Sequence, residues 1–461
     1  MVSRRDLLTF MTMSPALLRT AQAAGAAAGN DAANANADFL QLAPSPPMGW
    51  NSWDSYGPSI DESAARANAA VMAKQMRPHG YTIFTIGIQW YEPGANSYQY
   101  RRDAELAMDQ WGRLIPAPNR FPSAAKGAGF KPLADHIHSL GLKFGLHMLR
   151  GVPRQAANRN TPILGSRYRA GDIADRANIC PWNSDMYGID MAKRGAQEYY
   201  DSVLALYASW GVDFIKGDDM SRPYSRNKPE IHALRRALDR CGRPMLLSLS
   251  PGETPLEAAA DVAQIANMWR ISDNFWDTWP SLLEQFDRLR SWSVYRRDGN
   301  WPDADMLPLG VLEMGRRKTR LTAGEQTTLV TLWSIARSPL FMGGDLTKID
   351  DFTLSLLTND EVLSVNQSSE DNREIFRADG LAAWQARPTH GQGTYLAVFN
   401  LRDAAPGSDT ATVPIQLADL GLSGPVRVRD LWQRTHIDTV RGIFVPQVSR
   451  HGAKLFRLSP A

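Results

Sequence analysis

From about residue 44 to residue 366 short apolar runs alternate with amphipathic segments, and that rhythm leaves the chain few architectures. Residues 81–90 (YTIFTIGIQW) are β-branched and aromatic, which predicts a strand. Residues 131–140 are amphipathic and stop at Gly141, as a glycine-capped helix does, and residues 143–148 (KFGLHM) read as the next strand. The pattern recurs as helix 196–210 closed by Gly211, strand 212–218, helix 228–241, strand 244–250, helix 254–265 and strand 267–272. Strands separated by helices pair in parallel, because the helix carries the chain back to the starting edge. Over about 300 residues this favours a (β/α)8 TIM barrel over an open sheet. No Gly-x-Gly-x-x-Gly follows the first strand, which weakens a dinucleotide-binding reading.

The texture changes after Asn366. Residues 382–385, 394–399, 426–431 and 454–458 are short strand-like runs, separated by turn signals such as Gly391-Gln392-Gly393. Residues 367–461 therefore read as a C-terminal antiparallel β-sandwich domain after a barrel spanning 44–366. At the other end, Ser3-Arg4-Arg5-Asp6-Leu7-Leu8 is a twin-arginine pattern that runs into a short apolar stretch and Ala21-Gln22-Ala23. Residues 1–23 thus read as an export signal, and the Ala-, Gly- and Asn-rich residues 24–43 as a flexible lead-in. The expected location is the periplasm or the exterior of a bacterium, with no membrane span after signal removal. Lys plus Arg number 51 against 48 Asp plus Glu, so the net charge of +3 gives no footprint for nucleic acid or an anionic membrane. Cys180 and Cys241 are too few for a disulfide framework or a structural zinc site, leaving one bridge or two thiols. Composition leaves the oligomeric state open.

In a parallel barrel the functional side chains sit where strands end. One predicted strand ends Lys216-Gly217-Asp218-Asp219. Neighbouring side chains on a strand point to opposite faces, so both acids face one pocket only if the strand has already ended. Either acid also suits the cap of the following helix. A second strand ends Arg270-Ile271-Ser272-Asp273-Asn274, which offers Asp273 as the other member of a carboxylate pair, or as another helix cap. Asp303 and Asp305 share one face of an extended segment, but no calcium loop or histidine pair accompanies them, so neither a metal nor a cofactor is expected. Trp50, Trp53, Trp90, Trp182, Trp269, Trp276, Trp279 and Trp301 all fall in the barrel region. Carboxylates among tryptophans suit a sugar, whose C–H face stacks on indole, while core packing competes for each Trp singly. No Gly-x-Ser-x-Gly elbow is present.

The run Pro47-Met48-Gly49-Trp50-Asn51-Ser52-Trp53 resembles the opening of clan-D α-galactosidases. With Lys216-Gly217-Asp218, Arg270 to Asn274, Pro302 to Met306 and Ser338 to Met342 in order, the chain resembles glycoside hydrolase family 27, from about Pro44 to its C-terminus. The resemblance implies a barrel followed by a β domain, and retaining hydrolysis of a terminal α-linked, galactose-like sugar. It implies Asp218 as nucleophile, Lys216, Arg270 and Asp305 on the sugar hydroxyls, and Trp53 as a pocket wall. Asp219 and Trp90 join the expected substrate contacts. Two positions depart from the family pattern. Asn274 stands where the family has its acid/base, and an amide cannot cycle a proton, so the adjacent Asp273 is the expected substitute. The second strand ends Ile86-Gly87-Ile88-Gln89-Trp90 without the family's acids for the far hydroxyls, with Gln89 and Glu92 as partial substitutes. Ser250 stands where α-galactosidases carry a glutamate, as in the N-acetylgalactosaminidase branch. The alternatives are a related hydrolase for α-N-acetylgalactosamine or β-L-arabinopyranose, and a catalytically weak glycan-binding protein on the same scaffold.

Overall fold

A computed structural model describes residues 39–250, 252–403 and 409–461. The expected signal peptide and most of the lead-in, residues 1–38, lie outside the described residues. Eight strands form one parallel sheet: β1 Met48–Asn51, β2 Ile83–Ile86, β3 Lys143–Leu149, β4 Phe214–Asp218, β5 Leu246–Leu249, β6 Met268–Arg270, β7 Trp301–Asp303 and β8 Leu340–Met342. They are hydrogen-bonded in the order β8-β1-β2-β3-β4-β5-β6-β7. A parallel bridge from Leu307, just past β7, to Met342 of β8 closes the sheet into the expected barrel.

The two-residue period decides what fills the barrel. Ile83, Phe214, Leu246, Met268, Trp301 and Phe341 form one buried cluster, with the Phe214 and Phe341 rings 5.5 Å apart. Trp50 and Phe84 belong to the larger cluster under the helices, where their rings stack at 4.7 Å. Small residues are required where strands meet this filling. A Cβ on Gly49 would stand 2.2 Å from the Ile83 carbonyl oxygen, so only glycine fits there.

Several sequence-level boundaries shift. The residues before Pro44 are not all loose: Phe39 is buried under Arg235, its carbonyl accepts from Asn267 Nδ2 at 2.8 Å, and Trp301 Nε1 donates to the Ala43 carbonyl at 2.8 Å. The predicted helix 254–265 is two short turns, Leu256–Ala258 and Ala259–Val262. After β3 an insertion builds a three-stranded antiparallel sheet from Val152–Pro153, Ala174–Ile179 and Met186–Ile189. Cys180 and Cys241 are both free thiols.

The C-terminal domain has a six-stranded antiparallel sheet of β9 Ser369–Ala378, β10 Leu381–Pro388, β11 Thr394–Asn400, β12 Val426–Asp430, β13 Thr435–Val440 and β14 Ala453–Pro460. One face, with Leu396, Val398 and Val428, packs on Ile415, Phe444 and Val448 from two small strand pairs. The other face, with Trp384 and Phe399, joins the barrel's own core. Between barrel and sheet runs the helix Ala323–Ala336, buried at every residue from Thr328 to Ala336. Among the described residues no helix is long and apolar enough to cross a membrane.

Candidate active site

The C-terminal ends of the strands open into a cavity of about 540 Å³. Phe214, Lys216 and Asp218 alternate along β4, so the first fills the barrel and the other two line the cavity above it. The strand ends at Asp218, and Asp219 turns into the left-handed region at φ 58°, which brings its side chain to the same cavity. Both acids of the pair therefore face one space, and each is held differently.

Asp218 is 4% exposed and accepts two hydrogen bonds: His147 Nε2 donates to Oδ2 at 2.5 Å and the Asp219 backbone N–H donates to Oδ1 at 2.6 Å. A carboxylate only accepts, so the Nε2 nitrogen carries the proton. Burial holds the His147 imidazole below its ordinary pKa despite the pull of Asp218, which keeps it neutral. Asp219 is clamped by Arg150, whose Nη2 donates to Oδ2 at 2.6 Å and whose Nε donates to the Asp219 carbonyl at 2.9 Å. Burial pushes the Asp219 carboxyl up to about 6 against that guanidinium. Arg150 Nη1 also reaches Glu230 at 2.6 Å, and Glu230 accepts from the Tyr200 hydroxyl at 2.7 Å.

Across the mouth, Asp273 and Asn274 both line the cavity and both are exposed. Arg222 Nη2 holds the two Asp273 oxygens at 2.5 Å, and the Asp273 carbonyl accepts from Arg270 Nη2 at 2.5 Å. Arg270 itself is 1% exposed and does not line the cavity; it pairs with Asp305 Oδ1 at 2.7 Å. Asp305 does line it, with Oδ2 accepting from the Phe275 N–H at 2.8 Å. Ser250, beyond the tip of β5, is a lining residue.

Gln89 and Trp90 are placed elsewhere. Strand β2 ends at Ile86 and the chain turns, with Gln89 at φ 58°. Gln89 Nε2 donates to Asp185 at 2.7 Å, and Trp90 sits fully buried among Phe130, Tyr207 and Trp210, its Nε1 bonded to the His147 carbonyl. Neither lines the cavity. Glu92 is paired with Arg101. Of the tryptophans, Trp53, Trp182 and Trp276 reach the cavity, while Trp50, Trp90, Trp269 and Trp301 are core. Trp53 stacks on Tyr100 at 5.2 Å and Tyr100 meets Trp182 at 5.5 Å, which makes a continuous aromatic wall.

Sequence reasoning missed His147, Arg150, Arg222, Asp54, Tyr98 and Tyr100. A signal existed for His147: in KFGLHM it stands in register with Gly145, on the face opposite Phe144, Leu146 and Met148. The insertion that carries Trp182 gave no such signal, since its strand Ala174–Ile179 is mostly polar and surface-facing.

The chemistry this arrangement can perform is nucleophilic attack by a pre-oriented carboxylate on a ring stacked against indole and phenol. Comparison with known proteins gives the same direction. The family model described as alpha galactosidase A matches residues 187–368, and that of the alpha galactosidase C-terminal beta sandwich domain matches residues 378–458. The structure of a family 27 β-L-arabinopyranosidase from Geobacillus stearothermophilus, solved in complex with arabinose, is 48% identical, covers 92% of this chain and 99% of its own, and superposes with a TM-score of 0.89. An α-galactosidase from Coffea arabica is 29% identical over 90% of this chain and 94% of its own. An α-galactosidase A from Cellvibrio japonicus is 29% identical over 79% of this chain and 75% of its own.

Proposed function

The chain belongs to glycoside hydrolase family 27, and we propose that this glycosidase of the α-galactosidase type removes a terminal galactose-configured sugar with retention of configuration. The observation that carries the reading is Asp218, fixed by two donors and facing a cavity with an aromatic wall. Its carboxylate attacks the anomeric carbon as the glycosidic C–O bond breaks, and Asp273 passes a proton to the departing oxygen. Asp273 then takes a proton from water, the water oxygen attacks the same carbon, and the ester to Asp218 is released. Arg222 has to yield the Asp273 carboxyl for these transfers. Lys216, Asp305, Trp53, Asp219 and Ser250 supply the surrounding contacts.

A β-L-arabinopyranoside is the second substrate reading, favoured by the likeness to the Geobacillus enzyme. That sugar has the ring of α-D-galactose without the C6 hydroxymethyl group. The twin-arginine pattern at Ser3–Leu8 supports export as the setting.

The test is turnover of 4-nitrophenyl α-D-galactopyranoside and 4-nitrophenyl β-L-arabinopyranoside, with the first-formed anomer read by NMR. Retention, and loss of turnover in Asp218→Ala, are expected; a folded protein that cleaves neither glycoside refutes the reading. Asp273→Asn should cost about 10²–10⁴-fold in kcat/KM on an alkyl glycoside and little in kcat/KM on the aryl one, whose leaving group needs no proton, while kcat on the aryl one falls because water loses its base. If Asn274→Asp raises alkyl glycoside turnover by a similar factor, Asp273 is not the acid.

A further inference from the structure

Asp54 lies one residue past Trp53 in the short helix Trp53–Tyr56 that follows β1, and it lines the cavity while only 3% exposed. Among the described residues no hydrogen bond or ion pair reaches either of its carboxyl oxygens, and Oδ2 is fully enclosed. The Tyr98 hydroxyl, another lining group, is also buried without a partner. The enclosed oxygen is pressed on the backbone past β8, where a Cβ on Gly343 would come within 1.9 Å of it. A buried carboxyl left unbonded is costly, and one that lines a cavity is satisfied when a ligand hydroxyl arrives.

The neighbouring elements leave that place to Asp54. The turn directly after β2 offers the cavity no polar side chain: Gly87 has none, Ile88 is buried, and Gln89 and Glu92 are bonded to Asp185 and Arg101, so from this stretch only Tyr98 and Gln99, farther on, stand beside Asp54 in the lining. Strands β1 and β4 stand three apart in a ring of eight, so Asp54 and Asp218 enter the shared cavity from different sides of the barrel. Carbon 4 lies opposite carbon 1 in a pyranose ring, so a sugar that offers carbon 1 to Asp218 points its carbon 4 end away from Asp218, toward the other lining residues. The charges acting on Asp54 are Asp305, Lys216, Arg270 and Asp277, with Tyr98 beside it. Burial, reinforced by Asp305, pushes its carboxyl up to about 8, so near neutral pH it carries a proton and can both donate to and accept from a hydroxyl.

We infer that Asp54 is the residue by which this enzyme selects a sugar bearing a free hydroxyl at carbon 4, a role that rests on the glycosidase reading above. The experiment compares kcat/KM of wild type, Asp54→Asn and Asp54→Ser on the 4-nitrophenyl glycoside and on its 4-deoxy analogue. On the parent glycoside each variant should lose about 30-fold or more, and on the 4-deoxy analogue about 3-fold or less. Equal losses on both substrates by folded variants would make Asp54 structural and overturn the inference, as would no loss on the parent. If wild type cleaves neither aryl glycoside, the glycosidase reading fails by itself. Calorimetric titration of wild type and Asp54→Asn with galactose and 4-deoxygalactose then decides Asp54, by whether the variant erases the preference for the hydroxylated sugar.

Discussion

Replacing Arg150 with methionine removes the counter-charge from two carboxylates at once. The side chains of Arg150, Asp219 and Glu230 are 1%, 6% and 2% exposed, so water cannot take over from the guanidinium. Breaking a buried pair by deleting one partner costs about 3–5 kcal/mol, because the remaining charge stays buried and uncompensated. At about 2 °C per kcal/mol for a barrel of this size, the melting temperature should fall by about 6–10 °C at pH 7.5. The fall should shrink at pH 5. Without Arg150, burial raises both acids above their unfolded values, so the native variant holds protons that the unfolded chain has released, and its stability drops as pH rises through that window. Adding Asp219→Asn and Glu230→Gln should recover much of the loss at pH 7.5. Differential scanning fluorimetry at both pH values is the assay. A fall of less than about 2 °C, or the same fall at both pH values, would refute the argument that uncompensated charge is what Arg150 prevents.

His147→Ala should lower kcat/KM by about 10–100-fold by freeing the Asp218 carboxylate, while His147→Gln, which keeps an N–H donor near the Nε2 position, should recover part of it; steady-state kinetics with an aryl glycoside separates the two. The proton on Asp54 is held by the native state and released by the unfolded chain between about pH 4 and 8, so stability should fall as pH rises across that range. In Asp54→Asn the slope of the melting temperature against pH should flatten. Gly49→Ala drives a methyl group into the Ile83 carbonyl and should destabilise by about 3 kcal/mol or more, visible as a lower urea midpoint.

The sequence was most legible where backbone regularity governs side-chain direction. Strand 143–148 was found as Lys143–Leu149, and the expected run 212–218 as Phe214–Asp218, because apolar alternation and a glycine stop describe real hydrogen-bonded elements. Reading failed where a strand ended early. Extending β2 to Trp90 put Gln89 and Trp90 at the barrel mouth, whereas the turn after Ile86 sends one to Asp185 and the other into the core. The Arg222–Asp273 and Arg150–Glu230 pairs join residues 51 and 80 positions apart, and no local pattern announces such a partner. The insertion 152–189 escaped because its longest strand, Ala174–Ile179, is mostly polar and surface-facing and is held by pairing with Met186–Ile189 rather than announced by apolar alternation.

The helix Ala323–Ala336 has no water-facing stripe along its last two and a half turns, which ties the two halves of the molecule to a common fate. Trp432 Nε1 donates to Thr331 Oγ1 at 2.9 Å, the Thr328 hydroxyl donates to the His451 carbonyl at 2.6 Å, and His451 lies flat on Trp279 with ring centroids 3.8 Å apart. The β domain is thus the outer skin of the helix that joins β7 to β8. Cutting the chain at Asn366 would leave a greasy scar beside the strand that carries Leu340–Met342, and the glycosidase would have no self-sufficient half.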